Sequence, residues 1–320
     1  MSWANDYGSQ NTVEPKYLEE SAESHTPEDA AAPLPPSLPP PALPAAEEPD
    51  KGVLAGAAPG MNADNGEWSR QAYYNAAEQV TNGLVFLNNM GGQGSGVFDE
   101  ELGMSLSYAS ADAKTGSDSP QILAEEMLGD GDEIVILSDK PCAESGDCGV
   151  TRPGGVAYHG FGSENDRNGE SASKLFLLEF DMPLTGVRGW NKDMPAAWIL
   201  NAQIPNTLQY GRAECSCWES GCGEWDIFEV LDSGNTRCKS TIHGNVAGGD
   251  SNYFDRPVDK TVKVAVIFDA EESAGHIVVV PDDTFFNETV SDAQVAGFLE
   301  TMEGLGEEKS VFRMGSFQQW

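Results

Sequence analysis

The chain changes texture near Trp68. Beyond it, short runs of β-branched and aromatic residues alternate with clusters of Gly, Asn, Asp and Ser, and several runs alternate apolar with polar at period two. This spacing predicts strands over Glu133–Ser138, Lys174–Met182, Ala197–Asn201, Glu224–Leu231, Ser240–His243, Thr261–Asp269 and His276–Pro281. Two segments fit a helix instead: Ser69–Asn82, and Ser291–Met302, where a Ser cap precedes spaced apolar residues. The expected architecture is an all-β domain over residues 68–320 with few short helices. Residues 1–67 are rich in Pro, Ala and Glu, with a proline-dominated run from Pro33 to Pro44, and hold too little apolar content to form a core. They read as a disordered tail or linker, with a polyproline ligand as the alternative.

One predicted strand departs from the rest. Gly223-Glu224-Trp225-Asp226-Ile227-Phe228-Glu229-Val230 alternates acids with large apolar residues, which a strand buried on both faces has no reason to do. On a regular strand Glu224 and Asp226 share a face, but Glu229 falls on the other. A β-bulge at Phe228 restores it, lining up three carboxylates while Trp225 and Ile227 enter the core. Such a row suits glycosidic cleavage, in which one carboxylate attacks the anomeric carbon and another protonates the leaving oxygen. Crowding keeps one proton bound to higher pH while a neighbour stays ionised. A solvated acidic face and a calcium site are the competing readings.

Composition narrows the partners. Across 320 residues the formal net charge is −34, with a pI near 4.1, which repels nucleic acid and anionic membrane surfaces and leaves neutral partners. No run of roughly twenty apolar residues is present, so no membrane span is expected. The six cysteines, Cys142, Cys148, Cys215, Cys217, Cys222 and Cys238, cluster as disulfide candidates and point outside the cytosol. A four-thiolate zinc site at the last four is the weaker alternative, because paired two-residue knuckles are absent. No leader is visible after Met1, and the start is read as truncated or misplaced. Asn287-Glu288-Thr289 is a glycosylation sequon. Trp198, Trp190 and Trp218 are candidates to stack on sugar rings, with core packing as the alternative. His243 is a candidate to bind sugar or orient a carboxylate, and His159 a weaker one.

Cys222 to Glu229 resembles the signature of glycoside hydrolase family 16: a glutamate, any residue, an aspartate, two residues and a second glutamate. Phe176-Leu177-Leu178-Glu179-Phe180-Asp181-Met182-Pro183, then Met194-Pro195-Ala196-Ala197-Trp198-Ile199-Leu200, are similar to the segments preceding that strand, and Thr241-Ile242-His243-Gly244 with Gly248-Gly249 to the laminarinase His-Gly stretch. A closer resemblance over about 68–320 is to the fungal cell-wall family that includes the yeast "target of SBF" protein. It is carried by Leu87-Asn88-Asn89-Met90-Gly91-Gly92-Gln93-Gly94-Ser95-Gly96, Ala157-Tyr158-His159-Gly160-Phe161, Leu200-Asn201-Ala202-Gln203-Ile204-Pro205 and Cys215-Ser216-Cys217-Trp218. The resemblance implies a concanavalin-like β-jelly-roll sandwich with a concave cleft, a cell-wall location and endo-acting hydrolysis of β-1,3-glucan; a secreted monomer that needs no metal or cofactor is the accompanying expectation. The resemblance assigns Glu224 as nucleophile, Asp226 as assisting carboxylate and Glu229 as acid/base; Trp198, His243 and Trp190 are the residues expected on the substrate beside them. Glucan transglycosylation and non-catalytic glucan binding are the rival functions. The chain departs from the family pattern at Trp225, where Ile or Leu is common, and at Phe228, where Met is frequent.

Overall fold

A computed structural model of the chain describes residues 66–88, 90, 98–99, 103–104, 106–142, 156–161, 173–200, 223–243, 253–300 and 309–313. All of them belong to the compact unit from Gly56 to Trp320. The expected tail, residues 1–67, lies almost wholly outside the described residues. The strands are β1 (Glu67–Ser69), β2 (Tyr73–Asn75), β3 (Val80–Asn82), β4 (Leu84–Asn88), β5 (Phe98–Asp99), β6 (Gly103–Met104), β7 (Ser107–Ala109), β8 (Gly116–Ser117) and β9 (Val135–Ser138). They continue as β10 (Lys174–Phe180), β11 (Ala196–Leu200), β12 (Glu224–Glu229), β13 (Arg237–His243), β14 (Tyr253–Asp255), β15 (Val262–Asp269), β16 (Ala274–Val280) and β17 (Thr289–Ser291). Helix α1 (Asp292–Glu300) and β18 (Lys309–Arg313) follow. The protein is all-β, and no helix among the described residues is long and apolar enough to cross a membrane.

Two four-stranded antiparallel sheets form the centre, one in the order β10-β15-β16-β18 and the other β11-β12-β13-β14. Between them lies a core of Trp225, Ile227, Phe228 and Val230 from the second sheet against Val264, Val266, Ile277 and Phe312 from the first. Aromatic edges interlock across this core, Trp225 meeting Phe268 and Phe312 at centroid separations of 5.0 and 5.4 Å. Alternate residues of β15 and β16, including Ala265, Ile267 and Val278, face the opposite way and pack with Val295 of α1 and with Trp68. Burial on both faces explains why β15 reads as a nearly continuous apolar run. A third four-stranded sheet, β8-β7-β4-β9, has its own apolar cluster around Val85, Leu87 and Leu106.

The helix expected near the end forms as α1. Gln294 N donates to Ser291 Oγ at 3.2 Å while Ser291 N donates to Gln294 Oε1 at 3.0 Å, a reciprocal capping box that fixes its start. The helix expected over Ser69–Asn82 does not form. That segment is the β2–β3 hairpin, with Tyr73 paired to Asn82 and Asn75 to Val80. Its turn depends on Gln79, whose φ of 55° closes the chain while its amide donates to Ala76 O and Leu123 O. Tyr74 gains an edge contact on Phe86 at 4.8 Å that a lone helical turn would forfeit.

Candidate active site

The carboxylate row is set by an irregularity in β12. On β11, Trp198 pairs with Asp226 and Ala197 with Phe228, leaving Ile227 with no opposite residue. On β13, Thr241 pairs with Asp226 and Lys239 with Glu229, so Ile227 and Phe228 together face a single position. The bulge is therefore shared by Ile227 and Phe228, where the sequence placed it at Phe228 alone. Both side chains turn into the core, with Phe228 stacked on Phe254 at 4.6 Å. Because two successive residues point inward, Glu229 returns to the face of Glu224 and Asp226, and Val230 goes back to the core.

Directly opposed residues of antiparallel strands share a face. The site is therefore a three-by-three array: Leu200, Glu224 and His243; Trp198, Asp226 and Thr241; Ala196, Glu229 and Lys239. Glu224 and Asp226 are 7% and 4% exposed, and Glu229 is half-buried, so the row is the floor of the site and not a solvated edge. Ala196 beside Glu229 leaves room over the carboxylate, whereas Trp198, half-buried, lays a ring beside Asp226.

The electrostatics follow from burial and crowding. Asp226 is pushed up to about 8, first by desolvation and then by the charges of Glu229 and Glu224. Burial also raises Glu229, and the Lys239 ammonium pulls it partly back. His243 Nε2 lies 3.3 Å from Asp226 Oδ2, while burial and then Lys239 hold the imidazole below its usual range. At neutral pH a largely protonated Asp226 therefore sits between two carboxyls, beside a neutral histidine. Facing donor atoms of Glu224, Asp226 and His243 lie within 4.8 Å of one another, as do those of Asp269, Glu272 and His276 at the β15–β16 turn, so each set has the reach to hold a cation.

The array brings together Glu224, Asp226, Glu229, Trp198 and His243. Trp190 is elsewhere, on the loop between β10 and β11, and is 91% exposed. Lys239 escaped the sequence reading because strand β13 was expected to begin at Ser240, and Thr241, inside the expected strand, was not singled out. The period-two series Lys239, Thr241 and His243 was the available signal. Gly275 was missed too: a Cβ there would lie 2.5 Å from Cη2 of Trp225, so this glycine makes the space that the bulky Trp225 occupies.

One cysteine expectation is overturned. Cys238 is a free thiol, fully buried, whose Sγ lies 3.9 Å from Met182 Sδ in the inter-sheet core. It faces inward from β13 with apolar neighbours and fills the core as a small hydrophobe. Cys142 is disulfide-bonded. Cys148, Cys215, Cys217, Cys222 and Trp218 lie outside the described residues. Asn287 is exposed just before β17, and His159 accepts at its backbone carbonyl from Ser138, next to β9 and away from the array.

The profile of the family described as cell wall protein YJL171C/Tos1, C-terminal, matches residues 66–298. A Candida albicans protein named "Probable circularly permuted 1,3-beta-glucanase TOS1" is 45% identical over 246 residues, covering 74% of this chain and 50% of its own. Its Saccharomyces cerevisiae namesake is 44% identical over 238 residues, 73% of this chain and 50% of its own. An Arthroderma benhamiae "Probable circularly permuted 1,3-beta-glucanase" is 42% identical, covering 73% of this chain and 53% of its own. The chain thus spans about half the length of the curated relatives it matches. No solved structure matches it.

Proposed function

The chain belongs to the cell wall protein YJL171C/Tos1 C-terminal family, and from that premise we propose that it is a retaining, endo-acting β-1,3-glucanase of the fungal cell wall. The observation that carries this reading is the bulge at Ile227 and Phe228, which gathers Glu224, Asp226 and Glu229 on one face. Glu224 attacks the anomeric carbon, and Glu229 gives its proton to the departing glucosyl oxygen. Glu229 then takes a proton from water as that water displaces Glu224. Both halves of the reaction use groups already in place. Desolvation favours the protonated form of Glu229 needed first, and Lys239 limits how far. Asp226, between them, is held protonated by burial and by its two flanking carboxyls, and so adds no second negative charge beside the nucleophile.

Trp198 and His243 border the same row and are assigned to the glucosyl unit being cleaved, the ring of Trp198 giving its sugar-facing surface. The domain of residues 68–320 is read as a jelly-roll sandwich whose β11-β12-β13-β14 sheet floors the cleft. It is read as a secreted monomer acting on neutral polymer, which the charge of −34 favours over anionic partners. The test is release of reducing ends from laminarin by wild type and by Glu224→Gln. Release by wild type and background from the variant is expected, whereas equal release from both would overturn the assignment of Glu224.

A further inference from the structure

Trp190 stands apart from the other described tryptophans, Trp68, Trp198 and Trp225, which are buried or half-buried: it is 91% exposed, and Leu184 and Val187 on the same loop are also open, at 49% and 46%. A tryptophan carries roughly 150–250 Å² of surface that burial would remove from water. An aromatic at the tip of a mobile loop would need no explanation, but this loop is pinned along its length. Gly189 N donates to Ser233 Oγ at 3.1 Å and the Ser233 hydroxyl donates back to Gly189 O at 2.6 Å, while the Arg188 guanidinium donates to Ser233 O.

On the other side of the ring the anchoring is stronger. Asn191 and Asp193 both have φ of 52°, a left-handed conformation that side chains of this type tolerate. Asp193 N donates to Asp130 Oδ1 at 2.7 Å. The Asp193 carboxylate lies 2.6 Å from Arg256 Nη2, both side chains being buried, and Arg256 also donates to Met182 O, Pro183 O and Asn235 O. The guanidinium thus ties the start of the loop, its far end and the β12–β13 turn to one point. So many determinants holding a left-handed turn, with a large ring aimed at solvent, describe a preorganised platform.

Its position relates it to the array. Ser233 follows Glu229 in the β12–β13 turn, and Val230 N donates to Pro195 O at 3.0 Å, so the loop leads directly into β11 at the Glu229 end of the row. We propose that Trp190 is a stacking platform for a glucosyl ring of a long β-glucan chain, engaged beyond the Glu229 end of the carboxylate row. The occupant is a neutral sugar. Pyranose C–H faces match an aromatic face, whereas a polyanion would meet the net charge of −34. The loop's cations are already engaged: Lys192 with Asp130 at 3.7 Å, and Arg188 with Ser233. Polymer recognition at Trp190 rests on the glucanase reading for its substrate, but it is measured by binding and so stands or falls separately.

The test compares wild type, Trp190→Ala and Trp190→Phe. Pull-down on insoluble β-1,3-glucan should weaken about 3- to 10-fold for the Ala variant, the worth of one aromatic contact, and recover for Phe. KM on laminarin should rise by the same factor, with kcat and turnover of an aryl disaccharide unchanged. Laminarihexaose should shield wild-type fluorescence from acrylamide quenching, and the shielded fraction should fall in Trp190→Phe. Unchanged affinity and quenching in Trp190→Ala would overturn the platform. So would a change confined to self-association by light scattering, which would make the ring a contact between copies. Catalysis absent in wild type, with Trp190-dependent pull-down retained, would sink the glucanase reading and leave the platform standing.

Discussion

Replacing Asp226 with asparagine removes the carboxyl that burial and its two neighbours disfavour most, while keeping its shape. The unfolded chain releases this proton near pH 3.8 and the folded one near 8, so over that window the native state holds a proton that the unfolded state has lost. The sign is then fixed: native stability falls as pH rises through the window, and the loss is complete once Asp226 ionises in both states. Each pH unit is worth about 1.4 kcal/mol, and asparagine pays none of it. The Asp226→Asn variant should therefore gain on wild type by about 3 kcal/mol between pH 5 and pH 7, the gap levelling off above pH 8. Urea unfolding followed by tryptophan fluorescence at pH 5, 6, 7 and 8 measures it, with equal m-values confirming that the same transition is compared. Glucan hydrolysis should meanwhile fall by roughly 100-fold or more, because the amide cannot exchange a proton with the nucleophile's surroundings. A stability gap that does not change with pH would refute the buried, crowded carboxyl.

Three other substitutions probe the supports of the array. Arg256→Met leaves Asp193 buried without its partner and should destabilise by about 3–5 kcal/mol, lowering Tm by roughly 10 °C in thermal unfolding. Lys239→Met removes the charge that lowers Glu229, so the alkaline limb of the pH profile of kcat/KM should move to higher pH; a shift to lower pH would contradict the pairing across β12 and β13. Gly275→Ala drives a methyl into the Trp225 ring and should destabilise by about 1–3 kcal/mol, with much of the loss recovered when Trp225→Leu is added.

The parts of this fold that were legible in the sequence are those whose periodicity needs no tertiary partner. Strands β10, β12 and β15 announce themselves by alternation or by β-branched runs, and α1 by its Ser291 cap and the spaced apolar residues after it. Short strands such as β2 and β3 did not, because three residues carry too little pattern to outweigh the helical look of Ser69–Asn82. Their hairpin is settled by the Gln79 turn and by Tyr74 packing on Phe86. Within the site, a bulge was required by the spacing of the three acids, but its sharing between Ile227 and Phe228 depends on two neighbouring strands at once. The burial of Cys238, the meeting of Asp193 with Arg256 and the place of Lys239 beside Glu229 depend on long-range pairing in the same way, and no local spacing encodes them.

The most direct test of the central claim is the anomeric outcome of azide rescue in two glycine variants, using an activated β-laminaribiosyl donor. Azide fills the gap left by Glu224→Gly and displaces the leaving group once, so NMR should find the α-glycosyl azide. In Glu229→Gly, azide attacks the enzyme-bound intermediate after Glu224 has already inverted the centre, and the β-glycosyl azide should form. Exchange of the two anomers would reverse the roles of Glu224 and Glu229, and absence of rescue in both would contradict a double displacement on the bulged strand.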